Sequence, residues 1–323
     1  MQWLIVWALA WSSPEPTRLD FIGDVSFAGR SDAPAAVFAE VAPTLRAATF
    51  AVANVEGLLL AGGAPTYREA RLDISASPRY AEAFVDSGVD LLGTANNHSW
   101  DASSDGVREN LRHLARWPTF GSGTDGDARA PVRKMFTTGC VSFVPATLKS
   151  NRPARPDAVV AYYPADALDA LYALVRDERA AGCAPIVYVH WGREAVPAPP
   201  RAVVVVGEAL VKAGAAAVVG HHPHVLQGIT LRDGPHGRVP IAWSLGNFVF
   251  KNRDPDKRRT GILQLTLGAT GIVSVAMVPV TIDPHTFRPR LATAKEAAEH
   301  LVVMTKRSPG TKVTLASGLL RFE

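Results

Sequence analysis

Six short apolar runs recur along the chain, and each stops abruptly at residues able to bind a metal or an anion. Leu19-Asp20-Phe21-Ile22 runs into Gly23-Asp24, Thr49-Phe50-Ala51-Val52 into Ala53-Asn54-Val55-Glu56, and Val89-Asp90-Leu91-Leu92 leads to Ala95-Asn96-Asn97-His98. Further on, Ile186-Val187-Tyr188-Val189 stops at His190-Trp191-Gly192, Ala217-Val218-Val219 at Gly220-His221-His222-Pro223-His224, and Ile241-Ala242-Trp243 at Ser244-Leu245-Gly246-Asn247. Near-continuous apolar runs of this length describe strands buried on both faces, which belong to sheets covered by helices. Residues 81–87, 107–116, 168–181 and 202–213 carry helical spacing or propensity, with Asp105-Gly106 placed to cap the second and Gly182 and Gly214 to end the third and fourth. Strand alternating with helix is an α/β signature. One strand ending in His or Asp signifies only a turn, but ligands in such folds gather beyond the carboxyl ends of the strands, so six polar ends together point to a site. The Gly-rich, aperiodic stretches 57–77 and 119–131 read as surface loops.

A chain of 323 residues with 47% hydrophobic content has enough apolar material for one large core without a staple or an obligatory partner. The formal charge of +4 favours an anionic small molecule or polymer as substrate and does not imply nucleic acid. The densest basic stretch, Lys251 to Arg259, contains two aspartates and reads as a solvated loop. Cys140 and Cys183 form neither a CxxC nor a zinc-knuckle spacing, so they are expected as buried free thiols, with a single disulfide as the alternative in an exported protein. The apolar start Met1 to Trp11, with Ala8-Leu9-Ala10 as a small-x-small site, reads as a signal peptide over residues 1–13, although no Lys or Arg precedes it. It is far shorter than the ~20 residues that span a bilayer, so no transmembrane helix is expected there. Export to the periplasm or outside the cell is the expectation, with a cytoplasmic location as the alternative.

His222-Pro223-His224 is the sharpest local signal. Two residues apart in an extended segment point to the same side, so both imidazoles can converge on one centre, and such a pair suits Zn, Mn or Fe. His221 would then point the other way, as a neighbour rather than a third ligand. His190 follows a strong strand and precedes a glycine that would let the backbone approach a ligand. Asp24 and Glu56 supply carboxylates, Asn97 an amide oxygen, and His98 a candidate proton donor. Together these residues suffice for one divalent ion, or for two sharing a bridging carboxylate.

The motifs Gly23-Asp24-Val25 with Arg30, Asn54-Val55-Glu56, Ala95-Asn96-Asn97-His98 with Asp101 and Gly106, His190-Trp191-Gly192-Arg193-Glu194, Gly220 to Gln227 and Ser244 to Phe250 resemble, in order and spacing, the CapA or PgsA-type capsule synthesis proteins associated with poly-γ-glutamate. The resemblance covers roughly residues 19 to 265. That family is similar to the calcineurin-like metallophosphoesterases, which implies a four-layer α-β-β-α sandwich over residues 18–285, followed by a C-terminal extension over 286–323. It further implies Asp24 and His224 on a first metal, Glu56 bridging to a second, and Asn97, His190 and His222 completing that second position. His98 would be the proton donor, oriented by Asp101, while Arg30, Asn54, Trp191, Arg193, Glu194 and Asn247 would surround the substrate. Two positions depart from the phosphoesterase pattern and are shared by the capsule proteins: Ser26 stands where the first motif has a histidine, and Glu56 where the second has an aspartate. Two functions follow as expectations: a metal-dependent hydrolase acting on a phosphoester or amide-type bond, or a non-catalytic binding and assembly component for an anionic cell-surface polymer. A serine hydrolase is disfavoured, because no GxSxG elbow occurs.

Overall fold

The computed structural model describes residues 15–62, 74–124, 126–151 and 159–323, so the expected signal peptide and most of the Gly-rich stretch after Gly62 lie outside the described residues. Its strands are β1 (Thr17–Val25), β2 (Phe50–Val55), β3 (Leu91–Gly93), β4 (Thr119–Phe120), β5 (Val132–Phe136), β6 (Gly139–Thr147), β7 (Cys183–His190) and β8 (Ala217–His221). They continue as β9 (Ile229–Gly234), β10 (Gly237–Ala242), β11 (Asn247–Val249), β12 (Arg259–Gly268), β13 (Gly271–Ile282), β14 (Pro289–Leu291), β15 (Val313–Ala316) and β16 (Leu319–Phe322). Five α-helices are present among the described residues: α1 (Ala42–Arg46), α2 (Ser103–Leu114), α3 (Leu168–Ala180), α4 (Arg201–Ala213) and α5 (Ala294–Arg307).

The strands form two sheets. The larger runs β15-β16-β13-β12-β1-β2-β3-β4, with β11 beside β1 and β14 beside β13, and the smaller runs β5-β6-β7-β8-β10-β9. Period-two alternation sorts their side chains into layers. Phe21, Val52 and Leu91 from the larger sheet meet Ile186, Tyr188, Ala217 and Val219 from the smaller one in a core between the sheets. Ala51, Ala53 and Leu92 face outward onto Phe38, Tyr80, Phe84 and Leu114, while Val187, Val189 and Val218 face outward onto Leu171 and Val175 of α3 and Leu210 of α4. The central strands β1, β2, β3, β7 and β8 therefore bury both faces, and the molecule is a four-layer α-β-β-α sandwich. The C-terminal stretch folds onto the larger sheet, where β16 pairs with β13 and Met304 of α5 joins the inter-sheet core.

Several local expectations are corrected. Residues 78–84 form a 3-10 helix begun by Pro78 rather than an α-helix over 81–87. Helix α2 starts at Ser103 behind Ala102, without a side-chain cap, so Asp105 lies in its first turn and Gly106 inside it. Leu58, Leu59 and Leu60 are buried, so the beginning of the stretch 57–77 is not a surface loop, and Thr119–Phe120 is a strand. Cys140 and Cys183 are not free thiols: parallel β6 and β7 place them in register, 4.5 Å apart at Cα, and they are joined by a disulfide. That pairing depends on strand register, which spacing in the sequence does not encode.

Candidate metal centre

The carboxyl ends of β1, β2, β3, β7 and β8 meet at one edge of the sandwich, and the same alternation that builds the core aims their last residues into the space between the sheets. Asn54 continues the inward phase of Phe50 and Val52, His190 that of Ile186 and Tyr188, and His221 that of Ala217 and Val219. In β1 the phase has to change. Phe21 points inward and Ile22 outward, Val25 again points outward, and a register shift between Phe21 and Asp24 makes Gly23 the extra residue. This bulge turns Asp24 inward. Glycine is required there, since a Cβ on Gly23 would lie 2.1 Å from the carbonyl oxygen of Gly246. The close approach lets the Asp24 N–H donate to that carbonyl at 2.8 Å and brings Asn247 beside Asp24.

His222 and His224 converge by a different route from the extended one expected. Both sit in the left-handed region, with φ of 95° and 57°, so the chain leaving β8 turns tightly around Pro223. Each such non-glycine residue costs about 1–3 kcal/mol, which the surrounding packing must offset. Gly220 is needed as well: a Cβ there would lie 2.2 Å from the Trp243 carbonyl oxygen.

Asp24, Glu56, Asn97, His190, His222 and His224 are all brought together and all buried. Asp24, Glu56 and His190 each place one donor atom within 4.8 Å of the others, and so do Glu56, His222 and His224. Glu56 is common to both sets. His224 Nδ1 lies 3.4 Å from Asp24 Oδ2, and its Nε2 lies 3.5 Å from Glu56 Oε1. His190 Nε2 lies 2.7 Å from Asn97 Oδ1 and 3.1 Å from His222 Nδ1. Metal–nitrogen bonds of about 2.1 Å put neighbouring ligand atoms about 3.0–3.4 Å apart, so these spacings suit a divalent cation. The strongest sign is Glu56 itself. Its side chain is fully buried, and neither carboxylate oxygen receives a hydrogen bond. Such a group is costly unless it is protonated or coordinates a cation.

The electrostatics agree. Burial, reinforced by the charges of Asp24 and Glu194, pushes the Glu56 carboxyl well above its usual range despite His224. Burial opposes the Asp24 carboxylate too, but hydrogen bonds from His221 and His224 outweigh it and hold that carboxyl well below the usual range. Burial and the neighbouring His222 keep His190 neutral, and burial with the His224 charge lowers His222 to about 3. His224 is the exception: Glu56 and Asp24 overcome its burial and lift it to about 9. Neutral imidazoles and an ionised Asp24 are the ligand forms that metals require.

His98 and Asp101 lie at the same edge, with His98 Nδ1 2.6 Å from Asp101 Oδ2. Asn54 Nδ2 donates to Asp24 Oδ1 at 2.7 Å, and Asn247 Oδ1 accepts from His224 Nδ1 at 2.9 Å, so these two support ligands. Arg193 and Glu194 are exposed. Two expected substrate residues are engaged elsewhere. Arg30 forms a two-toothed pair with Asp32 and donates to the Phe287 carbonyl at 2.7 Å, while Trp191 stacks on Trp243 and donates to its carbonyl at 3.0 Å.

The sequence reading missed three residues. Asn151 accepts from Asn97 Nδ2 at 3.0 Å and directs its own amide at Asp101 Oδ1 at 3.3 Å. It thereby fixes which end of the Asn97 amide faces His190. Lys149, half-buried, acts electrostatically on His222. His221, set aside as a neighbour, reaches Asp24 at 3.1 Å. Neither Asn151 nor Lys149 ends an apolar run, which was the only signal available for the rest.

Comparison with known proteins bears on the family and the fold. "Capsule biosynthesis protein CapA" of Bacillus anthracis is 26% identical over 263 residues, covering 78% of this chain and 63% of that protein. "PGA biosynthesis protein CapA" of Bacillus subtilis (strain 168) is 25% identical over 260 residues, covering 78% of this chain and 67% of that one. The chain thus spans less than two thirds of the length of the first relative. Among solved structures, a candidate 5′-nucleotidase from Staphylococcus aureus in complex with α-ketoglutarate aligns with a TM-score of 0.52 at 13% identity, over 90% of this chain and 58% of its own, a likeness of fold alone. No helix among the described residues is long and apolar enough to cross a membrane. The family described as bacterial capsule synthesis protein PGA_cap matches residues 18–252, and the chain belongs to it.

Proposed function

We propose that this protein is a metal-dependent hydrolase acting on a phosphoester or amide-type bond in capsule, poly-γ-glutamate or related cell-surface polymer metabolism. The observation that carries this reading is Glu56, a fully buried carboxyl with two donorless oxygens, set among three imidazoles and next to a His–Asp pair. Asp24, Glu56, Asn97, His190, His222 and His224 would hold one or two ions of Mn, Zn or Fe. A bound cation would supply Lewis acidity and lower the pKa of water at the site. His98 is the proton donor to the leaving group: Asp101 accepts from its Nδ1–H, which fixes the ring and leaves Nε2 to exchange the proton. Lys149 and Arg193 supply positive charge for an anionic substrate. The capsule relatives and the apolar start of the chain support a place outside the cytoplasm.

The test is turnover of simple phosphoesters and γ-glutamyl amides by metal-loaded protein. His98→Ala should lower kcat by roughly 10²–10⁴-fold, the usual worth of a general acid, with metal uptake unchanged. Metal-loaded protein that binds polyglutamate in a salt-sensitive way but turns over neither class would instead make it a binding component.

A further inference from the structure

We propose that His221 is a positioning residue for the cation site, fixing the Asp24 carboxylate with its Nδ1–H; this assignment rests on the metal-dependent reading above. Strand alternation in β8 puts His221 on the inward face with Ala217 and Val219, and the residue is 1% exposed. Its Nδ1 lies 3.1 Å from Asp24 Oδ1, the oxygen that also receives Asn54 Nδ2 at 2.7 Å. Oδ1 is therefore held from both sheets, by Asn54 of the larger and His221 of the smaller. Oδ2 is the oxygen turned toward the ligand cluster, 3.4 Å from His224 Nδ1.

A carboxylate has no proton to give, so the proton in the contact belongs to His221 Nδ1. Nε2 is buried and receives no hydrogen bond, and the ring packs 4.3 Å from the ring of Tyr188. Packing thus locks rotamer and tautomer together. His221 belongs to neither set of converging donor atoms, which makes it a partner of a ligand rather than a ligand. Within β1 itself nothing does this work, since Ser26 turns its hydroxyl toward the Ala28 N–H at 3.5 Å. The orientation of Asp24 is supplied instead by Asn54 of the neighbouring strand β2 and by His221 of the opposite sheet. Such outer partners set ligand direction and basicity.

Two measurements decide it. In metal-free wild-type protein labelled with ¹⁵N-histidine, and assigned with His221→Leu, the His221 ring should carry its proton on Nδ1; an Nε2–H tautomer overturns the proposal without any metal present. In Mn²⁺ titrations followed by calorimetry, His221→Leu should weaken binding about 10- to 100-fold. His221→Asn, whose Nδ2 can donate from the Nδ1 position, should stay close to wild type. Leucine as good as histidine overturns the proposal. Asparagine as poor as leucine overturns it too, by making Nε2 the operative atom. Wild-type protein that takes up no metal overturns the proposed function, and the tautomer measurement still decides His221.

Discussion

The two sheets contribute opposite chemistry to one site. The larger sheet brings Asp24, Asn54, Glu56 and Asn97, all oxygen-bearing, whereas the smaller brings His190, His221, His222 and His224. The acidic half is split by its surroundings: against burial, His221 and His224 of the smaller sheet hold Asp24 well below its usual range, while burial pushes Glu56 well above it. In the imidazole half burial keeps His190 and His222 neutral, whereas His224, between the two carboxylates, is drawn up to about 9. The centre exists only where the sheets pack. Neither half assembles a ligand set by itself, because each converging set of donor atoms draws on both sheets.

The comparison breaks most completely at Glu56. A carboxyl whose folded pKa is raised adds stability that is fully present below its unfolded value of 4.5 and is lost as pH rises through the folded value. Metal-free protein should therefore lose stability as pH climbs above 4.5, and Glu56→Gln should flatten that decline in chemical denaturation series. The same variant should erase the rise in Tm that metal gives to wild type. A steep decline persisting in Glu56→Gln would place the frustration elsewhere.

The imidazole half can be loosened separately. The Cys140–Cys183 disulfide closes a separation of 43 residues between neighbouring strands of the smaller sheet. The Cys140→Ser, Cys183→Ser double variant should lose about 2–4 kcal/mol by urea unfolding. Smaller still, Asn151→Ala should cost about tenfold in activity, the low end for an outer partner, with little change in unfolding. That result would sharpen the account of Asn97, whose amide Asn151 orients. Least of all, Thr293→Ala, which removes the capping box of α5 far along the chain from either half, should cost about 1 kcal/mol of stability and leave metal uptake intact.

The same contrast explains what the sequence could reveal. Every imidazole ligand follows an apolar run or lies in His222-Pro223-His224, so the smaller-sheet half was legible as motifs, and Asp24, Glu56 and Asn97 were legible as strand ends. Their geometry was not. Asp24 faces inward only because Gly23 is bulged, and His222 and His224 converge only through two left-handed residues; both are backbone events that residue spacing does not report. Strands β12 and β13 pair antiparallel in the larger sheet and supply none of the ligand residues, so a pattern keyed to the site passed over them. The disulfide waited on register, and Asn151 lies in a polar stretch with no periodicity to mark it.

Glu56 lies buried without hydrogen-bond donors, and we attribute this to a cation for which its oxygens are reserved. The direct measurement is calorimetric titration of metal-free protein with Mn²⁺ or Zn²⁺ in two buffers of different ionisation enthalpy, repeated on Glu56→Gln. We expect saturable uptake with release of protons in wild type, since Glu56 and His224 must give theirs up, and loss of both in the variant. Folded wild-type protein that binds neither ion, or a Glu56→Gln variant that binds as tightly as wild type, would contradict it.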